Sequence, residues 1–193
     1  NVDLFSRAAT TFEVLMKNEQ FDLIRPYHLS LLYHSLLNDP TNDQPILLLS
    51  EYARNKHSSP EMLVLSTIFP PLFTHLMKTD SSQPVFYHLC FLIIYLLYYN
   101  PTFANEIPKE VDASHFPSIA FNRKLPDKTR IIAAALVAIL VVSHEKFQQI
   151  CTSNDYLDKV REELAFSNTR PNLSVWLMLS IRRAFNLYSP DPA

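Results

Sequence analysis

Glycine is absent from this chain of 193 residues, although ordinary usage of about 7% would supply roughly thirteen. The absence excludes glycine-rich phosphate loops, the G-x-G-x-x-G dinucleotide turn and the G-x-S-x-G nucleophile elbow. Two-residue hairpin turns also depend on glycine, and no segment shows sustained alternation of apolar and polar residues. The sequence therefore predicts an all-α protein.

Cysteine is scarce, and neither sign of charge predominates. Cys90 and Cys151 fall in different predicted elements, so they indicate neither a disulfide framework nor a zinc site, and we expect a reducing, intracellular setting. The formal net charge of −2 predicts no nucleic-acid partner. The apolar runs 85–99 and 131–142 are shorter than the roughly 18–20 residues that span a bilayer. We expect no membrane span and interpret both runs as helices buried on all sides.

Proline, in contrast, occurs fourteen times. It stands at the start of five apolar runs, where a helix tolerates it because the first helical N–H has no partner within the helix. These prolines are Pro45, Pro60, Pro84, Pro126 and Pro171. The 3.6-residue period predicts two earlier helices, over residues 4–17 and 26–37. Asparagine is expected to end helices in place of glycine, since it tolerates the left-handed conformation best among the other residues.

The spacing of four helix openings predicts the architecture. Pro45, Pro84, Pro126 and Pro171 are separated by 39, 42 and 45 residues, close to the roughly 40–47 residues of HEAT and armadillo repeats. Stacked helix pairs of this length predict a right-handed α-solenoid, with residues 1–193 as one helical-repeat domain. A single globular helical bundle is the alternative. The start at Asn1, without methionine or signal peptide, leads us to expect a fragment of a larger multidomain protein.

Catalytic groupings are sparse. His88 and Cys90 point about 200° apart on a helix, which predicts a packed thiol and a satisfied core histidine rather than a nucleophile–base pair. Glu162 and Glu163 are adjacent, as on a solvated helix face. The seven histidines lack metal-ligand spacing. We therefore predict no enzymatic activity, no metal and no other cofactor.

The best candidate for an interaction site is the segment 123–130, at a loop-to-helix junction before a deeply apolar run. Its candidate partner-binding residues are Arg123, Lys124, Asp127, Lys128 and Arg130. Arginine forks bind acidic surfaces, and loops held on a rigid scaffold often carry function. A polar linker between two repeats is the alternative interpretation.

Other conspicuous side chains are interpreted as packing groups. Trp176 is expected in the core. Of Arg182 and Arg183, one is expected to pair with a carboxylate and the other to face solvent. Helix–helix packing is also expected for five rings of one predicted helix, namely Tyr87, Phe91, Tyr95, Tyr98 and Tyr99.

Taken in order, these segments resemble the Raptor family, the regulatory-associated subunits of the TOR kinase complex. The matching segments are residues 4–16 (LFSRAATTFEVLM), 25–38, 46–78, 125–142 and 171–188, with Cys151 and Trp176 at matching positions. The resemblance includes a turn at residues 68–70 (Ile-Phe-Pro). The family has glycine before that turn where this chain has Thr67, and residues 105–121 match poorly.

The resemblance implies that the chain is the helical-repeat middle of such a subunit, outside its caspase-like domain and its WD-repeat propeller. It implies a non-catalytic scaffold in nutrient signalling that contacts a TOR-type kinase and small Rag-type GTPases. It implies a cytoplasmic protein that partners recruit to the lysosome or vacuole surface. Segment 123–130 then corresponds roughly to a loop on the GTPase-facing side. A generic armadillo or HEAT adaptor for peptides or another complex is the alternative function.

Overall fold

The computed structural model describes residues 2–18, 26–39, 42–55 and 62–186, and every regular element within these ranges is helical. The all-α prediction is confirmed for this part of the chain. The chain divides into two compact units, Asn1–Glu106 and Ile107–Ala193. One continuous solenoid across residues 1–193 stays a prediction.

The described part of the first unit contains five α-helices and one 3-10 helix. They are α1 (Val2–Lys17), α2 (Pro26–Asn38), α3 (Gln44–Asn55), α4 (Met62–Lys78), α5 (Pro84–Tyr99) and the 3-10 helix Pro101–Glu106. Helix α3 packs against α1, α2 and α5, while α4 packs against α2, α5 and the 3-10 helix. Pro45 and Pro84 lie in the first turns of α3 and α5, as predicted. Pro60 lies outside the described residues.

Helix α4 continues through Pro70 and Pro71, so the turn expected at residues 68–70 is wrong. A proline inside a helix costs about 3 kcal/mol, since it removes a hydrogen bond and crowds the preceding turn. Burying each large apolar side chain stabilises by about 1.5–3 kcal/mol. Five side chains around the prolines are buried, namely Ile68, Phe69, Leu72, Phe73 and Leu76. Their burial outweighs the cost of the prolines.

Helix α5 is buried on one side only, which corrects the expectation that it is enclosed on all sides. Leu89, Cys90 and Ile93 are fully buried. Tyr98 and Phe91, expected between helices, are instead exposed. The rings lie along one face, as helical neighbours four residues apart do. Neighbouring rings contact one another, as in the pairs Tyr87–Phe91, Phe91–Tyr95 and Tyr95–Tyr99.

The described part of the second unit contains α6 (His115–Phe121), α7 (Asp127–Ser143), α8 (Glu145–Cys151), α9 (Asn154–Leu164) and α10 (Pro171–Asn186). Helix α7 packs against α6, α8 and α10. Its residues 132–138 are buried on all sides, as the apolar run predicts, whereas Val142 near its end is exposed. Helix α6 lies between the openings of α5 and α7, where the predicted helix pairs require a second, shorter helix. Five residues, 122–126, connect its end to the start of α7.

Helices α7 and α10 run in the same direction. At their starts, Arg170 Nε lies 3.2 Å from Asp127 Oδ1. Further along, Arg183 Nη1 donates a hydrogen bond of 2.7 Å to the carbonyl of Ala138. One of Arg182 and Arg183 was expected to pair with a carboxylate and the other to face solvent. Arg182 is exposed, as expected, but Arg183 binds a backbone carbonyl and not a carboxylate. Trp176 is half-buried rather than part of the core.

Asparagine does end helices, but without the left-handed conformation. The C-cap of α5 is Asn100, with φ −139° and ψ 84°. That of α6 is Asn122, with φ −76° and ψ 98°. Each cap donates its backbone N–H to a carbonyl of the last turn, Leu96 and Ile119 respectively. The C-caps of these two helices therefore lie at negative φ, a conformation that needs no glycine.

Candidate partner surface at the start of helix α7

The candidate segment forms a tight connection between α6 and α7. The Asn122 side chain accepts a hydrogen bond of 3.0 Å from the backbone N–H of Lys124. Its carbonyl accepts one of 3.1 Å from the N–H of Leu125. Pro126 occupies the N-cap of α7, with φ −57° and ψ 142°, one position earlier than predicted. Its carbonyl accepts the N–H groups of Thr129 and Arg130, so the segment enters α7 in a fixed geometry.

Arg130 is fully buried, with none of its surface exposed. Its Nε donates a hydrogen bond of 2.9 Å to the carbonyl of Ala120 in α6. Its Nη2 lies 2.8 Å from Glu163 Oε2, and its Nη1 lies 3.5 Å from Asp127 Oδ1. The structure therefore corrects one sequence expectation: Arg130 is a core ion-pair residue and is not available to a partner.

Glu163, in α9, is the residue on which the arginines converge. Only 4% of its surface is exposed. Arg123 Nε donates a hydrogen bond of 2.7 Å to its Oε1, and Arg170 Nη1 lies 3.8 Å from its Oε2. Burial acts to raise the pKa of Glu163, but the bonds from Arg123 and Arg130 outweigh it and hold that pKa below its ordinary value. The carboxylate is ionised at neutral pH and compensates the charge of Arg130.

Arg123 and Arg170 form the solvent-facing edge of this cluster. The side chain of Arg123 is 48% exposed, and its guanidinium lies 4.8 Å from the ring centre of Phe166. The bond to Glu163 raises the pKa of Arg123 further. Arg170 bridges Asp127 and Glu163 from the start of α10. Three arginines and two carboxylates thus link α6, α7, α9 and α10 into one network.

The five candidate residues therefore separate into three groups. Arg130 is buried, while Asp127 and Arg123 are exposed residues that also belong to the network. Lys124 and Lys128 are exposed on the connection and on the first turn of α7. The contact with a partner stays a prediction, and it now concerns the two lysines and the outer side of Arg123.

Sequence reasoning missed Glu163, Arg170 and Phe166. Glu163 was expected on a solvated face beside Glu162, and that expectation is wrong. A signal for its burial is present in the sequence. Tyr156, Val160 and Glu163 follow the i, i+4, i+7 spacing of one helical face, and the first two are buried apolar residues. A carboxylate on an apolar stripe indicates a buried ion pair, because an unpaired charge there is costly.

A second buried polar group joins α8, α9 and α10. The hydroxyls of Tyr156 and Ser180 are 2.7 Å apart, and Ser180 donates a hydrogen bond of 2.7 Å to the carbonyl of Leu177. Burial raises the pKa of the neighbouring Cys151 thiol to about 12, although hydrogen bonds with Tyr156 and Ser180 act to lower it. A thiol with this pKa is not a nucleophile at neutral pH. The group is a packing device between helices.

The structure confirms the packed thiol predicted at Cys90, but His88 is not the core histidine that was expected. Cys90 is fully buried, and burial raises its pKa well above the ordinary value. His88 is half-buried, and its Nε2 lies 3.3 Å from Asp43 Oδ2. The histidine thus contacts a carboxylate and not the thiol.

Within the described ranges, no three His, Cys, Asp or Glu side chains are grouped to hold a metal. A depression of about 450 Å³ lies on α1, where its described lining residues are Arg7, Thr10, Thr11, Val14 and Leu15. In the same ranges no single helix is long and apolar enough to cross a membrane; α7 and α8 together meet the length but bend by 119°.

Comparison of the chain with protein-family models, with curated proteins and with solved structures finds no match. The resemblance of the ordered segments to the Raptor family is therefore carried forward as a proposal.

Proposed function

We propose that this chain is a non-catalytic scaffold built of HEAT/armadillo-type helical repeats in a right-handed α-solenoid. The scaffold belongs to a Raptor-like subunit of a TOR kinase complex and contacts the kinase and small Rag-type GTPases. It works in the cytoplasm and reaches the lysosome or vacuole surface through these partners. It acts by holding the partners close together, which raises their effective concentration.

The observation that carries the scaffold part is the shared direction of α7 and α10. Equivalent helices of stacked repeats run in the same direction, because nearly the same rotation and translation relates each repeat to the next. Pro126 and Pro171 mark the starts of these two helices, 45 residues apart. In the first unit α3 packs against α5, and their openings are 39 residues apart. Asp43, before α3, contacts His88 in the first half of α5, as helices aligned at their starts would.

The partner part depends on the resemblance and on the surface at the start of α7. Lys124 and Lys128 are exposed there, beside the outer edge of Arg123. Exposed cations steer acidic partners and set the orientation of an encounter. The ion-pair network beneath them fixes their backbone, so the charges are presented by a rigid element.

The first experiment is affinity purification of the full-length parent protein from its own cells, followed by mass spectrometry. Recovery of a TOR-type kinase supports the proposal. Recovery of an unrelated complex without a kinase would move the function to a generic armadillo or HEAT adaptor.

The second experiment tests the surface. With the GTPase immobilised, Lys124→Glu with Lys128→Glu is expected to weaken binding by about tenfold, since like charges then face an acidic partner. Lys109→Glu with Lys146→Glu is the matched control, because both lysines are exposed in the same unit outside the segment. Equal affinities of the two double variants would refute the contact.

A further inference from the structure

Helix α10 exposes a row of large side chains to solvent. Val175 is 62% exposed, Met178 48% and Phe185 45%. Arg182, also exposed, stands between the last two in the sequence. We call these four residues the α10 ridge.

The α10 ridge follows the i, i+3, i+7, i+10 spacing of a single helical stripe. At 100° per residue the four side chains fall within about 80° of the helix circumference. The opposite face is buried against α7, α8 and α9, and its buried residues are Leu173, Leu177, Ser180 and Ala184. The helix is therefore apolar on two opposite faces, and packing within the unit accounts for only one of them.

Arg182 distinguishes the α10 ridge from an ordinary exposed apolar patch. It makes no ion pair or hydrogen bond within the described part of the chain, whereas the adjacent Arg183 binds the carbonyl of Ala138. On the stripe, apolar side chains lie on both sides of its guanidinium. A partner that covered Met178 and Phe185 would also cover Arg182, and would have to compensate its charge.

We propose that the α10 ridge binds an amphipathic α-helix of another protein, in which an aspartate or glutamate between apolar residues faces Arg182. Grooves and ridges with this spacing recognise helices through apolar anchors one turn apart. The ridge extends about 15 Å from Val175 to Phe185, so a partner helix of three turns covers it. This inference does not depend on the identity of the partners proposed above.

The test selects partner helices without assuming their sequence. The probe is a displayed library of helical peptides with one randomised face, selected against the full chain. Enriched peptides are expected to carry an acidic residue between apolar ones. Selection against Arg182→Glu is expected to enrich a basic residue at that position instead. No enrichment, or enrichment without a charge preference, would overturn the proposal.

Affinities of an enriched peptide complete the test. Met178→Asp and Arg182→Glu are each expected to weaken its binding by about tenfold or more, which corresponds to about 1.4 kcal/mol. Leu47→Asp is the matched control for Met178→Asp, since Leu47 is an apolar residue that is 45% exposed on α3 and the introduced residue is the same. Helical content by circular dichroism confirms that the variants are folded. Unchanged affinity of Met178→Asp would overturn the proposal. Analytical ultracentrifugation gives a further check. If the chain sediments as a dimer and Met178→Asp makes it a monomer, a second copy of the chain covers the α10 ridge and the proposal is overturned.

Discussion

Replacing Glu163 by glutamine tests whether the buried ion-pair network stabilises the second unit. Removing one partner from a buried pair costs about 3–5 kcal/mol, because the other charge is left uncompensated. Glutamine keeps one carbonyl oxygen that can accept a bond from Arg123 or Arg130. Asp127 Oδ1, 3.5 Å from Arg130 Nη1, remains as a partial counter-charge. We therefore expect the lower end of that range, a loss of about 3 kcal/mol in the free energy of unfolding.

The chain supplies both the control and the probe for this experiment. Glu162→Gln makes the same chemical change at the neighbouring exposed position, and we expect it to change stability by less than about 0.5 kcal/mol. Trp176 is the single tryptophan and lies in α10, so its fluorescence during urea unfolding reports on the second unit. If the two variants unfold at the same urea concentration, the network does not stabilise the unit and the reasoning is refuted.

The pH dependence gives an independent readout of the same variant. Because the pKa of Glu163 is lowered in the folded protein, its contribution is complete above the unfolded value of about 4.3. The contribution is lost as pH falls through the lower folded value. Burial lowers the pKa of His115 and His144 as well, which adds a loss below about pH 6.5 in every variant. The acid loss is expected to be smaller in Glu163→Gln but not absent, because hydrogen bonds from Ser114 also lower the pKa of Asp112 in the same unit.

Three further predictions concern the cores. Tyr156→Phe should destabilise the second unit by about 1–2 kcal/mol, because the Ser180 hydroxyl loses a buried partner; a smaller change in urea unfolding would show that the bond is not needed. Leu136→Ala should cost about 2–5 kcal/mol and Val142→Ala, at an exposed position of α7, much less; equal losses would contradict the assigned burial. Cys90 and Cys151 should react with Ellman's reagent only after unfolding in urea, and rapid reaction of the folded chain would contradict their raised pKa values.

The helices could be predicted largely from the sequence, because two strong signals agree. An apolar residue every third or fourth position defines the face of α1, α2, α3 and α10, and proline marks the first turn of several helices. The turn at residues 68–70 was implied by the family resemblance, and it is wrong. Pro70 and Pro71 lie inside α4, because the apolar residues around them gain more from one continuous buried helix.

The sequence predicts where the candidate site lies, but not which of its charged residues are buried in ion pairs and which are exposed. Sequence identifies the charges of segment 123–130, and it cannot show which of them meets a carboxylate more than thirty positions away. Arg130 and Glu163 are brought together only by the packing of α7 against its neighbours. Arg182 was not among the candidate site residues. Its position between Met178 and Phe185 becomes informative only when the exposed face of α10 is known.

The burial of Arg130 changes how the charge of the segment acts on a partner. Four cations and one carboxylate stand within residues 123–130, and they suggest a strongly basic surface. Glu163 compensates Arg130 and pairs with the inner side of Arg123, so the exposed charges are those of Lys124, Lys128 and the outer part of Arg123, together with the carboxylate of Asp127. Reversing the charge of Arg130 would bury a carboxylate beside Glu163 and unfold the unit, and lost binding would then report on folding. Only substitutions at the two lysines can separate contact with a partner from the stability of the helices that present it.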